Sequence, residues 1–192
     1  MKIWFIKNPL WKRYEYLEKH FRGKKILDMG CGNKKMKGSI GIDIKTNTMA
    51  DIHHDLNQFP YPFKDNEFDL IICRHIIEHL KDTVRVMEEI YRIGKPNALV
   101  VIEYPHFSCR DAYMDPGHIR YFSYKTFDGL HVGNTRSNSK FQALRKIIIF
   151  GRGIKKLLGI EYFANRFPDI YEGHFAFIIP AQYVYVELKI IK

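Results

Sequence analysis

Apolar positions in this 192-residue chain fall into short unbroken runs, each stopped by glycine or by a polar cluster. "KKILDMG", "SIGIDI" (39–44), "ADIHH" (50–54), "EFDLIIC" (67–73) and "NALVVIEY" (97–104) are such runs, and each predicts a strand. Near-continuous apolar strands point to a parallel sheet covered on both faces. Two stretches follow a different period. After Asn8-Pro9, which reads as an N-cap with proline at the first helical position, Leu10, Trp11, Tyr14, Leu17 and Phe21 recur at helical spacing up to Gly23. Ile77, Leu80, Val84, Met87 and Tyr91 do the same until "GKPN", predicting a helix between the fourth and fifth strands.

Beyond Tyr104 the pattern loosens. "PHFSCRDAYMDPGHIRYFSYKTFDGL" reads as loop, with Ser123 capping a short helix over 124–130, and "HVGNTRSNS" reads as a further loop. "KFQALRKIIIF" (140–150) predicts a strand and "GIKKLLGIEYFANRF" a helix. "AQYVYVELKII" alternates strictly, as a half-exposed final strand does. The expected fold class is α/β: a Rossmann-like, mostly parallel sheet with helices on both faces and an antiparallel C-terminal strand. Residues 1–192 are expected to form one domain, with an N-terminal helical extension (1–23), a cofactor-binding half (24–104) and an acceptor-binding half (105–192).

Composition narrows the classes. Apolar residues make up 46% and aromatic residues 15%, as in a globular protein. Cys31, Cys73 and Cys109 form no C-x-x-C pair, which argues against a disulfide framework or a cysteine-rich zinc site. No apolar run approaches the ~20 residues of a membrane span, and the basic start "MKIWFIKNPLWKRYEY" does not read as a signal peptide. A cytoplasmic location is the expectation. The net charge of +10 permits an anionic partner, whether nucleic acid, lipid surface or phosphorylated small molecule, without selecting one. Residues 134–166 carry eight Lys/Arg and the single acid Glu161, a composition that also permits weak contact with a membrane surface.

The most informative stretch is "ILDMGCGNKK" (26–35). A strand carrying Asp28 runs into Gly30-Cys31-Gly32, where missing side chains let a ligand approach the backbone in the crevice used by open α/β sheets. Position 35 is lysine rather than the third glycine of a dinucleotide fingerprint, and no G-K-[S/T] follows, which weakens phosphate-loop readings. Asp43 ends the second run and Asp55 follows the third. A carboxylate at such a strand end can accept hydrogen bonds from ribose hydroxyls.

The motifs "ILDMGCG", "GIDI", "HHDLNQFPYPFKDNEFDLIICRHIIEHL" and "ALVVIEYP", in this order from Lys25 to about Tyr104, resemble class I S-adenosylmethionine-dependent methyltransferases. The resemblance implies S-adenosylmethionine as cofactor. It implies that Gly30, Cys31 and Gly32, beside Asp28, approach its methionine part, and that Asp43 with Ile44 binds the ribose. Asp55 and Leu56 would border the adenine; Cys73, Arg74 and His75 would face the bound cofactor. Only 13 positions separate Gly30 from Asp43, too few for the usual crossover helix, so Lys34 or Lys35 is the expected partner of the cofactor's carboxylate.

The acceptor is expected above the ends of the fourth and fifth strands, among His75, His79, Tyr104, His106 and "DPGHIRYFS". His106 or His118 is expected as general base and Arg120 as a clamp on an anionic acceptor, with Tyr121 beside it. A small-molecule acceptor methylated at O or N is the leading expectation. RNA is the alternative that the charge allows, although no Asn-Pro-Pro-Tyr-type or Pro-Cys motif supports it. An inactive cofactor-binding protein is a further one. Finally, His75-Ile-Ile-Glu78-His79 matches the H-x-x-E-H of some zinc proteases. That chemistry needs both histidines on one helix and a later acid as third ligand, whereas His75 ends a strand. The expectation is therefore a pocket rim and no metal.

Overall fold

The computed structural model describes residues 10–130, 139–151 and 159–192. The Asn8-Pro9 cap, most of the 131–139 loop and the first half of the helix expected from Gly153 lie outside them. One seven-stranded sheet organises the rest, in the order β3-β2-β1-β4-β5-β7-β6. β1 (Ile26–Met29), β2 (Ile40–Asp43), β3 (Ile52–His53), β4 (Phe68–Arg74) and β5 (Gly94–Pro105) run parallel. β7 (Tyr183–Ile190) pairs antiparallel with both β5 and β6 (Phe141–Ile149).

The strand interiors explain this order. β1 is buried along its whole length and β4 along most of it, since both are flanked by strands and covered above and below. Successive residues divide between two layers. Ile71 and Cys73 face a cluster with Val86, Met87, Ile90 and Ile93 of α2 (Thr83–Ile93). Leu70 and Ile72 face the other way, against Leu17 of α1 (Leu10–His20). Each such fully buried aliphatic side chain contributes about 1.5–3 kcal/mol of transfer free energy, so these layers dominate the fold's stability.

Two sequence expectations need correction. The strand over 183–190 is buried on both faces rather than half-exposed, because β6 covers its outer edge and both side-chain layers are roofed. The helix expected to run from Ile77 breaks: Ile77–His79 form a single tight turn, Leu80 is extended, and α2 begins only at Thr83. Asp82 is the reason, since its side chain accepts the Arg85 N–H at 3.0 Å as an N-cap. The interruption lifts residues 75–82 above the carboxyl end of β4. Residues 30–39 join β1 to β2 through turns alone, without a helix.

Candidate active site

At the carboxyl end of β1, Gly30 (φ +63°) and Gly32 (φ +49°) adopt left-handed backbone conformations. At Gly30 there is also no room for a side chain: a Cβ would lie 2.5 Å from Cγ1 of Ile76. The loop that follows is held by carboxylates. Asp43 accepts the Gly32 N–H at 2.9 Å through one oxygen and the Lys45 N–H at 2.9 Å through the other. Buried Asp28 accepts the Met36 N–H at 2.7 Å and the Arg74 guanidinium at 2.7 Å. Burial raises the Asp28 pKa above the ordinary value, against the pull of Arg74.

The sequence assigned several of these side chains to a ligand, and the structure employs some of them elsewhere. Arg74 donates to Asp28 and to the Lys34 carbonyl (2.6 Å) and lies over the Tyr14 ring, so it staples the glycine loop. Lys35, one of the two lysines expected at the cofactor's carboxylate, is paired with Asp51 at 2.8 Å. Burial pushes the Cys31 thiol up to about 11, leaving a protonated packing group. Cys73 is wholly buried with its sulfur 3.6 Å from that of Met29, so only its backbone can meet a ligand. On the outer rim, Ile44 is exposed, Leu56 is buried, and Asp55 accepts the backbone and side-chain N–H groups of Asn57.

A second set gathers where β4 and β5 end and β7 begins. A cleft of about 350 Å³ is lined there by His75, Glu78, His79, Pro105, His118 and Tyr183, with Asp111 and Asp115 on its margin. His75 sits at φ +50° with Nε2 3.0 Å from Glu103 and Nδ1 3.5 Å from Glu78. Burial works against its charged form, but the Glu103 hydrogen bond and the Glu78 carboxylate outweigh that and push His75 up to about 9. At neutral pH it is a cation and not a base. The 115–121 loop is pinned above by the Ile119 and Arg120 N–H groups, which donate to the Glu78 carbonyl at 3.0 and 3.2 Å. N-terminal α1 also contributes, since the Tyr14 hydroxyl donates to Glu103 at 2.9 Å.

Four residues were expected to act on the acceptor, and the structure brings only His118 into this cleft. His106 is fully buried, with Nδ1 2.8 Å from Ser108 and Nε2 3.0 Å from Glu172. It ties β5 to the Tyr171–Phe175 turn and cannot reach the cleft as a base. Arg120, expected as a clamp on an anionic acceptor, donates to the Lys81 carbonyl, and Asp115 accepts the Gly117 N–H at 2.8 Å. Tyr121 is exposed and stacks on Tyr113 with ring centroids 4.8 Å apart.

A sequence profile described as a methyltransferase domain matches residues 8–180. The chain belongs to that methyltransferase family. Its fold is that of the class I, S-adenosylmethionine-dependent members. Among curated proteins, it is 26% identical over 139 residues to a probable S-adenosylmethionine-dependent methyltransferase of Mycolicibacterium smegmatis, covering 61% of this chain and 52% of that one. It is 26% identical over 118 residues to a ubiquinone biosynthesis O-methyltransferase of Neisseria meningitidis, covering 48% and 49%. The chain thus spans about half the length of the curated relatives it matches. A solved methyltransferase from Archaeoglobus fulgidus superposes with TM-score 0.57 at 17% identity over 96% of both chains. A Haemonchus contortus phosphoethanolamine N-methyltransferase superposes with TM-score 0.61 at 16% identity, over 94% of this chain and 53% of that one.

In this member of the family, three cleft residues carry no expectation from the sequence: Glu103, which holds His75, and Asp111 and Tyr183, which line the cleft. Glu103 carried a signal: it is the only charge within the apolar run "ALVVIEYP". Tyr183 carried none, because its place beside Pro105 follows from the antiparallel register of β7. Among the described residues no helix is long and apolar enough to cross a membrane.

Proposed function

We propose that this protein transfers the methyl group of S-adenosylmethionine to an oxygen or nitrogen of a small-molecule acceptor bound in the cleft beside His75. The observation that carries the reading is positional. The glycine loop with Asp43 and the cleft with His75 lie at the same, carboxyl edge of one sheet, over β1/β2 and β4/β5 respectively. Ligands bind at that edge in open α/β folds.

In this reading the backbone of Gly30–Gly32 admits the methionine part of the cofactor, and Asp43 accepts its ribose hydroxyls through lone pairs left over by the Gly32 and Lys45 amides. Asp55 and Leu56 border the adenine. The acceptor atom attacks the methyl carbon as the sulfur–methyl bond breaks. The bonding pair returns to sulfur, giving neutral S-adenosylhomocysteine, and the acceptor's proton passes to solvent. The enzyme's task is chiefly alignment and exclusion of water. The charged His75 and the acids Asp111 and Asp115 favour a polar acceptor carrying its own hydrogen-bonding groups. Curated relatives named as a ubiquinone biosynthesis O-methyltransferase of Neisseria meningitidis and a phosphoethanolamine N-methyltransferase of Caenorhabditis elegans support a small-molecule acceptor over RNA.

Calorimetry with S-adenosylhomocysteine tests the cofactor half: micromolar or tighter binding is expected, and its absence would end the reading. A screen of acceptor classes for S-adenosylhomocysteine release then tests the acceptor half. Turnover on small hydroxyl- or amine-bearing compounds is expected, and turnover on RNA alone would replace that half.

A further inference from the structure

We infer that Glu78, His79 and His118 form a binding site for a first-row divalent transition-metal ion. One ligand atom from each of these residues can be chosen so that all lie within 4.8 Å of one another. Tetrahedral ligands about 2.1 Å from an ion stand roughly 3.4 Å apart, so closing the set takes side-chain shifts of about 1 Å.

The orientation of the rings is the first argument. His79 Nδ1 lies 2.9 Å from the Gly117 carbonyl and His118 Nδ1 lies 3.1 Å from the Ala112 carbonyl. A carbonyl only accepts, so each Nδ1 is the donor, and in the neutral ring Nε2 keeps its lone pair. Metal-binding histidines are commonly held this way, with one ring nitrogen anchored on a carbonyl and the other left free.

The second argument is independent of the first. Glu78 is 1% exposed, and neither of its carboxylate oxygens has a hydrogen-bond partner. Buried carboxylates are ordinarily paired and hydrogen-bonded or bound to metal. One of these oxygens lies 3.5 Å from His75 Nδ1 and 3.9 Å from His118 Nε2. If Nδ1 of His118 carries the proton, Nε2 and the Glu78 oxygen face each other as two lone pairs, an arrangement a cation between them resolves. The His75 cation balances Glu78 in part, but it gives no reason for two further imidazoles to converge there.

Two nitrogens and one carboxylate oxygen suit zinc, cobalt, iron or manganese better than magnesium or calcium, which prefer oxygen alone. Three protein ligands leave at least one coordination position for water or substrate. The pattern His75-x-x-Glu78-His79 is thus divided differently from that of a zinc protease: Glu103 holds His75, Glu78 becomes a ligand, and the distant His118 completes the set. What this ion does rests on the methyl-transfer reading. An acceptor oxygen on the open position would be fixed for attack and would lose its proton to solvent more readily.

The test is metal content. Chelator-stripped full chain, reloaded with Zn²⁺ and desalted, is expected to retain about one equivalent by elemental analysis, and Co²⁺ in its place should give visible d–d absorption. H118A and E78Q should each weaken Zn²⁺ binding at least about tenfold, while H20A on α1 keeps it. Circular dichroism and thermal melts report whether each variant is folded, with H118Q in place of H118A, and E78D in place of E78Q, should either of those not fold. Substoichiometric zinc in the wild-type chain, or full zinc in folded H118A and E78Q, would overturn the proposal. Loss of cofactor binding with zinc intact would instead count against the methyl-transfer reading.

Discussion

The Arg74 guanidinium, at the end of β4, lies 2.7 Å from the carboxylate of Asp28 in β1, and the same nitrogen donates to the Lys34 carbonyl. One side chain thereby ties a buried acid to the loop that follows the glycines. Asp28 is nearly inaccessible, whereas Arg74 is about a quarter exposed. Removing Arg74 leaves a buried carboxylate with only the Met36 amide. Breaking a fully buried pair costs about 3–5 kcal/mol; with one partner partly solvated, R74A should cost about 2–3 kcal/mol. A denaturant titration would show this as a lower midpoint. R74K should recover only part of this, because a lysine is shorter and brings no guanidinium plane to lie over the Tyr14 ring. A wild-type midpoint in R74A would remove the staple from the account.

His106 provides a second test, one that separates structure from catalysis. Its two nitrogens are satisfied inside the protein, by Ser108 and Glu172, and Glu172 also accepts the Tyr124 N–H at 2.6 Å. H106A should cost about 2–4 kcal/mol through the cavity and the hydrogen bond lost to Glu172. Turnover per folded molecule, and its pH profile, should stay that of the wild type. A pH limb that disappears in H106A would restore the general-base role.

How far the sequence shows all this varies with the kind of interaction. The strands from Ile26 to Tyr104 were legible because each is a local apolar run, and the resemblance of their motifs orders them. The break at Leu80 was missed because Ile77 and Leu80 are buried as a helix would bury them, although they belong to a separate turn. Only Asp82, three residues before the Arg85 it caps, carries the boundary. Site residues divide the same way. The strand end puts Asp43 beside the glycine loop, but no local signal tells that Arg74 turns back to Asp28 or that His118 returns to Glu78. Those partners are 46 and 40 positions apart, and tertiary packing alone decides them.

Acid should expose another tie. Glu89 on α2 accepts the Tyr61 N–H at 2.7 Å and the Arg92 guanidinium at 2.8 Å. Burial raises its pKa, but these bonds outweigh it and hold the carboxyl below the usual value. A carboxyl depressed in the folded state stabilises fully above its unfolded pKa, about 4.3, and that contribution is lost as pH falls through the folded value. Wild-type stability should therefore drop below about pH 5 more steeply than that of E89Q. The gap of about 1 kcal/mol at pH 7 should narrow as pH falls from the unfolded value through the folded one. Parallel urea titrations at several pH values would measure it, and equal slopes for both proteins would show that Glu89 contributes nothing.

Asp43 bears most directly on the cofactor. Each of its oxygens already accepts one backbone N–H, from Gly32 and from Lys45, so its carboxylate is fixed in direction before any ligand arrives. Hydrogen bonds from two hydroxyls to such a preorganised anion contribute about 1.5–3 kcal/mol together. D43A should accordingly weaken S-adenosylhomocysteine binding about 10- to 100-fold. D43N keeps one accepting oxygen and should fall between D43A and wild type. Since the Gly32 amide also loses its partner, thermal melts must accompany the calorimetry, and a stable D43A with unchanged affinity would place the ribose elsewhere.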